Sequence, residues 1–255
     1  MSPQTNDHFD RGVAAIAKRR YEKAGDAFAR AGWQTLATPR PDQTPFGADE
    51  KGWVGTGIRY HLTSALCYRV AEAENRAGHR AKETAAVAAD LQTGLTHPAQ
   101  QACLQELVAD AKLAGGLNDV ADSYREATDA YHEAAEAVDD PQYRSTTPLF
   151  QAATVPLQQV ARSTANGEIA ISWEDLHGTD PTTPGQFLAK RTAFKRQRFP
   201  SLLSSVLESG YLAAPRGTTE YNNATYQCPN CGSSDVNWVG DSTLCMRCST
   251  PLEPQ

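Results

Sequence analysis

The sequence predicts a mainly α protein, a helical solenoid or bundle, that ends in a small β unit. Three observations carry that prediction. Residues 8–140 are rich in alanine, and proline falls there only in two short gaps. That is the composition of successive helices, because alanine loses no side-chain entropy on entering one. Four of the six cysteines, Cys228, Cys231, Cys245 and Cys248, fall near the C-terminus around a strand–turn–strand pattern. With 255 residues, 40% of them hydrophobic and 21% charged, the chain is long enough for one large or two modest domains with a core of their own. No stretch approaches the ~18 apolar residues of a membrane span. The opening MSPQTNDHFDRG lacks the basic start and apolar run of a secretory signal. The expected location is therefore cytoplasmic.

The first domain expected is residues 1–140. Thr38–Gly47 and Gly94–Pro98 are its loops, by their proline and glycine content. Residues 20–32 read as a helix with a glycine stop. Ile58–Ala77 and His79–Leu91 read as a helix pair, and Gly115-Gly116 as a turn into a further helix. Gly12, Tyr21, Ala24, Phe28 and Ala31 fall at the spacing of a helical repeat, in which small residues let two helices approach and aromatics fill the groove. Leu117, Val120, Tyr124 and Ala127 repeat the end of that pattern. On these residues the N-terminal half resembles tetratricopeptide-repeat (TPR-like) α-solenoids. The resemblance implies a scaffold that docks a protein partner. A plain helical bundle accounts for the same small and aromatic residues. Cys67 and Cys103 sit in apolar surroundings and read as buried thiols. Asp119–Asp140 holds eight acidic residues against Arg125. It reads as a solvated face, or as a docking surface for a basic partner or for the basic segment of the same chain.

Residues 141–220 read as a mixed α/β linker domain. Pro156 suits the first turn of a short helix with Leu157, Val160, Ala161 and Thr164 on its buried side, and Asn166-Gly167 ends that helix or turns a hairpin. Residues 168–173 alternate polar and apolar, as a half-buried strand does. Glu174, Asp175, His177 and Asp180 read as a turn with capping acids, or as the one place where acid–base chemistry would assemble. The chain carries a net charge of -6, yet residues 187–199 contain five basic side chains and no acid. Lys190, Arg191, Lys195, Arg196 and Arg198 are the candidate phosphate contacts of a nucleic-acid-binding surface. The alternative is a basic helix that neutralises the acidic half. Pro200 is expected to break this helix, a second helix to run to Gly210, and Arg216–Thr219 to form a basic-tipped turn. Two helices followed by such a turn resemble part of a winged helix.

Residues 221–255 carry the most specific motif. Cys228-Pro229-Asn230-Cys231-Gly232, twelve intervening residues and Cys245-Met246-Arg247-Cys248 form two Cys-x-x-Cys knuckles. Each turns two sulfurs toward one centre, and four thiolates complete a tetrahedron that suits one structural Zn2+ per chain. The segment from about 225 to 250 resembles the zinc-ribbon family, which implies two short strands between the knuckles. With every position filled by sulfur there is no open site for a catalytic water. An iron centre or a redox dithiol are the competing chemistries. Trp238 either closes the small core or stacks a base. Together these features point to a non-enzymatic adaptor or regulator that binds a protein partner, with a transcription-related nucleic-acid binder as the alternative.

Overall fold

The computed structural model describes residues 7–38 and 52–254. Most of the predicted 38–47 loop lies outside them. The elements are α1 (Asp7–Ala17), α2 (Tyr21–Ala37), α3 (Gly52–Val70), α4 (Glu74–Gly94), α5 (Pro98–Ala114), α6 (Val120–Glu133), a 3-10 turn (Ala135–Ala137), α7 (Pro141–Thr146), α8 (Pro148–Thr164), α9 (Trp173–Leu176) and α10 (Pro184–Ser209). Then come β1 (Thr218–Glu220), β2 (Val236–Val239) and β3 (Ser242–Cys245). The protein is mainly helical, with a three-stranded antiparallel sheet in the order β1-β2-β3.

Helices α1 to α6 pack each against the next. Glycine sets the first approach: a Cβ on Gly12 would lie 2.8 Å from the Phe28 ring. Phe28, Tyr21, Ala24 and Ala31 are all buried, as their spacing predicts. Helix α3 is apolar on nearly every side, the pattern of a helix enclosed by others. It touches α2, α4, α5, α8 and α10. Its turn into α4 falls at Ala71–Ala73, earlier than the predicted break near Gly78. The Gly94–Pro98 gap and the Gly115-Gly116 turn stand where expected. At the former, His97 Nδ1 accepts the Ala99 amide (3.2 Å) and Pro98 opens α5.

The region 141–220 differs most from the prediction. Pro148, rather than Pro156, begins α8, and Pro156 lies inside it. Pro200 does not break α10, which runs 26 residues through it. A mid-helix proline forfeits one backbone bond and costs about 3 kcal/mol or more. In α10 the buried stripe Arg191, Lys195, Phe199, Leu203 and Val206 continues in phase across Pro200, so packing on both sides offsets that cost. Residues 168–172 form no strand. Ile171 is buried, but Ile169 is exposed, and the segment runs into α9 through a capping box between Ser172 and Asp175. No winged helix forms. After Gly210 the chain passes along the body as a strap, Tyr211–Gly217, and Thr218–Glu220 becomes the first strand of the C-terminal sheet.

One apolar core runs from Val13 through α3, α5, α8 and α10 to Val239 and Leu244. Residues 141–209 therefore share the core of the first six helices. Helix α8 lies against α3 and α5, and α10 lies against α6 and α8. A small second cluster, Cys228, Val236, Cys245 and Leu252, belongs to the sheet.

Candidate metal centre

The two knuckles fold alike. The Gly232 amide donates to the Cys228 carbonyl (2.9 Å) and the Cys228 amide to the Ser233 carbonyl (2.8 Å). Seventeen residues on, the Ser249 amide donates to Cys245 (2.9 Å) and the Cys245 amide to Thr250 (2.8 Å). The fifth residue of each knuckle takes a left-handed backbone, φ 73° at Gly232 and 58° at Ser249. Glycine adopts that conformation freely, and serine only at a cost. Ser249 is compensated. Its buried hydroxyl accepts the Ala214 amide (3.0 Å) and lies 3.2 Å from the Tyr211 hydroxyl, fastening the sheet to the strap.

Strands β2 and β3 join the knuckles as predicted, with Gly240 at the turn. The four sulfurs lie within 4.8 Å of one another. Cys228 and Cys248 are 3.5 Å apart, Cys231 and Cys245 3.6 Å, and Cys231 and Cys248 3.6 Å. Four thiolates at about 2.3 Å from a tetrahedral ion stand about 3.8 Å apart, so this cluster has the size to hold one metal. The interaction between Cys245 and Cys248 holds the Cys248 thiol down, whereas the same interaction and burial push Cys245 up. Backbone amides at Ser233, Arg247, Cys248 and Thr250 add positive field to the sulfurs. Trp238 is half-buried and meets Tyr226 edge-on at 6.4 Å, helping to close the small core.

The sheet is bound to the helices at several points. Asn237 accepts the Gly217 amide (2.8 Å) and donates to the Pro215 carbonyl (3.0 Å). Arg247 pairs with Asp235 (2.6 Å) and with Glu168. Asp10 on α1 accepts the Asp241 amide (3.2 Å).

The basic segment is divided by the fold. Lys190, Arg196 and Arg198 are exposed on α10. Arg191 and Lys195 are 2% and 0% exposed and face inward, so neither is placed to meet phosphate. Their partners are Glu106 and Asp110, one turn apart on α5. Arg191 grips Glu106 with two bonds of 2.7 Å and donates to the Phe150 carbonyl (3.0 Å). Lys195 lies 2.8 Å from Glu106 and 2.5 Å from Asp110, and donates to the Ala153 carbonyl (2.6 Å). The Tyr131 and Tyr124 hydroxyls complete the set, donating to Glu106 (2.7 Å) and Asp110 (2.6 Å). Burial alone would push the Glu106 carboxyl up, but the charges of Arg191 and Lys195 outweigh it and hold it down at about 2. Burial pushes Asp110 up. Sequence reasoning missed Glu106 and Asp110. The available signal was an acidic i, i+4 pair in a mostly apolar helix, matched by a basic i, i+4 pair elsewhere.

Residues 174–180 converge on no common site. Asp175 caps α9, Asp180 accepts from Thr182, and Glu174 is exposed. His177 is buried and stacks on Trp173, ring centroids 3.7 Å apart, and burial lowers its pKa to about 4. Cys67 and Cys103 are buried as predicted. Among the described residues no helix is long and apolar enough to cross a membrane. No family model, curated protein or solved structure matches this chain. Its fold and site define it only as a helical protein with a C-terminal cluster of four cysteines arranged to hold a metal.

Proposed function

We propose that this is a non-enzymatic adaptor whose tetratricopeptide-like helical array docks a protein partner and whose C-terminal ribbon is held by one structural zinc ion. Four thiolates with no open position suit zinc in a structural role. Helix α8 covers α3 and α5 and α10 covers one side of α6, which leaves the acidic side of α6 for a partner. The observation that carries the reading is on α6 and the residues after it. Asp122, Glu126, Asp129, Glu133, Glu136, Asp139 and Asp140 are all exposed, and Arg191 and Lys195 pair with α5 rather than with them. A basic segment of a partner protein is the complementary surface.

The test combines elemental analysis with capture of partners on the full chain, before and after nuclease. We expect one zinc per chain. We also expect a partner that survives nuclease and is lost when Glu126, Asp129 and Glu133 are changed to Lys. Capture that ignores those substitutions overturns the adaptor reading. Capture that vanishes with nuclease, together with steep salt dependence, favours the nucleic-acid alternative, for which Lys190, Arg196 and Arg198 remain on the surface.

A further inference from the structure

A cavity of about 370 Å³ opens between the helical body and the strap that leads into the sheet. Its size falls in the range of small-molecule sites. Three features of its wall point the same way. Phe9, Phe28 and Tyr60 line one side as a packed aromatic set, with ring centroids 5.3 to 6.2 Å apart. Val155 and Ile171 extend the apolar surface. Arg59, Arg162 and Arg216 also line it, and no carboxylate does.

These arginines are unusual for this chain. The molecule is acidic overall, and its other buried cations, Arg191 and Lys195, have carboxylate partners. Arg162 is 5% exposed and forms no ion pair. It donates to the Ala214 carbonyl (3.1 Å), and burial followed by the charge of Arg216 lowers its pKa to about 10, so it stays cationic at neutral pH. Arg216 donates to the Thr219 hydroxyl (2.9 Å), and its buried Nη1 has no hydrogen-bond partner. Arg59 lies 5.1 Å from the Tyr60 ring centre. Holding a desolvated guanidinium beside another one without a counter-ion is costly. An arrangement of that kind is rational where an anion from outside completes it, since charge-assisted bonds to an oxyanion are the strong ones.

We propose that this cavity binds a small organic anion, its oxyanion head held by Arg59, Arg162 and Arg216 and its aromatic or aliphatic body lying against Phe9, Phe28 and Tyr60. The site is independent of the partner surface on α6 and of the metal centre. It joins α1, α2, α3 and α8 to the strap, so an occupant would touch both the helices and the segment that anchors the sheet.

The probe is 1-anilinonaphthalene-8-sulfonate, an anion with an aromatic body, added to the full zinc-loaded chain. We expect one saturable site per chain with enhanced fluorescence, weakened by salt. Arg59→Gln and Arg216→Gln should each weaken binding about tenfold or more, the size of a lost charge-assisted bond. Arg59→Lys and Arg216→Lys, which keep the charge, should retain most of the affinity. Lys190→Gln with Arg198→Gln, on the exposed side of α10, should change nothing. N-phenyl-1-naphthylamine, the uncharged analogue, should bind at least about tenfold more weakly to the native chain and ignore the arginine substitutions. Circular dichroism and zinc content verify each variant. Absence of a saturable single site, binding indifferent to both Gln substitutions, or equal binding of the uncharged analogue would each overturn the proposal.

Discussion

Two clusters of charge hold this molecule together, and they are closed in different ways. Between α5 and α10 two carboxylates meet two cations, with two tyrosine hydroxyls and two backbone carbonyls satisfying what remains. Everything that cluster needs is encoded in the chain. At the C-terminus four sulfurs converge with no basic side chain among them, and only an ion from solution can balance them as thiolates. We therefore expect the C-terminal sheet, more than the helical body, to depend on metal, reducing power and a pH that leaves sulfur ionised.

The largest effect expected is at the metal centre. Removing the ion with a chelator, or replacing Cys228 or Cys245 with Ser, should withdraw on the order of 10 kcal/mol of local folding energy. Near-ultraviolet dichroism of Trp238 should collapse while the far-ultraviolet helical signal stays nearly unchanged. A concerted loss of both would mean the two regions are one cooperative unit.

Next in size is the internal cluster. Glu106→Gln leaves Arg191 and Lys195 buried without adequate compensation and should cost about 3–5 kcal/mol in denaturant unfolding followed at the helical signal, with zinc content unchanged. Glu106→Leu combined with Arg191→Met should recover much of that, because well-packed apolar groups can replace a buried pair. Failure to recover would show that the charges specify the α5–α10 contact and do not merely tolerate burial. Phe28→Ala, in the same core, should cost about 3–5 kcal/mol, and a near-neutral result would remove the α1–α2 contact from the account.

Acid should act on the helical body through two kinds of group. His61 is 1% exposed, neither ring nitrogen has a hydrogen-bond partner, and burial lowers its pKa to about 4. The unfolded chain takes up that proton near 6.5 and the folded chain only near 4. Stability of the body is thus complete above pH 6.5 and falls by roughly 3 kcal/mol as pH drops to 4. Glu106, with its folded pKa held below the ordinary carboxylate value, adds a further loss between about 4.5 and 2. His177, lowered to about 4 by its own burial, titrates in the same window, so His61→Leu should remove only part of the first loss and leave the second. The smallest effect separates the two knuckles. Ser249→Gly should relieve backbone strain but lose the hydroxyl bonds to the strap, whereas Gly232→Ser should cost about 1 kcal/mol with no such bond in play. A larger cost for Ser249→Gly than for Gly232→Ser, read as relative metal affinity, would show that the strap contact outweighs the strain.

How much of this was legible in the sequence depended on how local the cause was. The four cysteines, the Gly94–Pro98 break and the α1–α2 contact are set by residues a few positions apart, and each is where the sequence puts it. Pro156 and Pro200 misled because proline penalises a helix locally, whereas the face that carries Phe199, Leu203 and Val206 is rewarded by helices far away in sequence. The alternation at 168–173 looked like a strand. A strand needs a neighbour to bond to, and the sheet found its third strand at Thr218–Glu220 instead. The basic segment read either as a phosphate-binding surface or as a helix that neutralises the acidic half, and which of its cations do the latter was hidden because their acidic partners lie 85 positions earlier. The arginine-lined cavity had no sequence signature, since its three cations come from α3, α8 and the strap.

The contacts between the chain's two ends carry a consequence in time. Asp10 meets Asp241 across 231 positions, and the Tyr21 hydroxyl binds both backbone groups of Leu212, accepting its amide at 3.1 Å and donating to its carbonyl at 3.4 Å. At synthesis rates of 5–20 residues per second, about 10–50 s separate the emergence of Asp10 from that of its partner. Helices α1 and α2 must wait through that interval with the surface meant for the strap and sheet still open to water. The first helices made are thus among the last to be covered, and the four clustered cysteines emerge at the end of the same sequence of events.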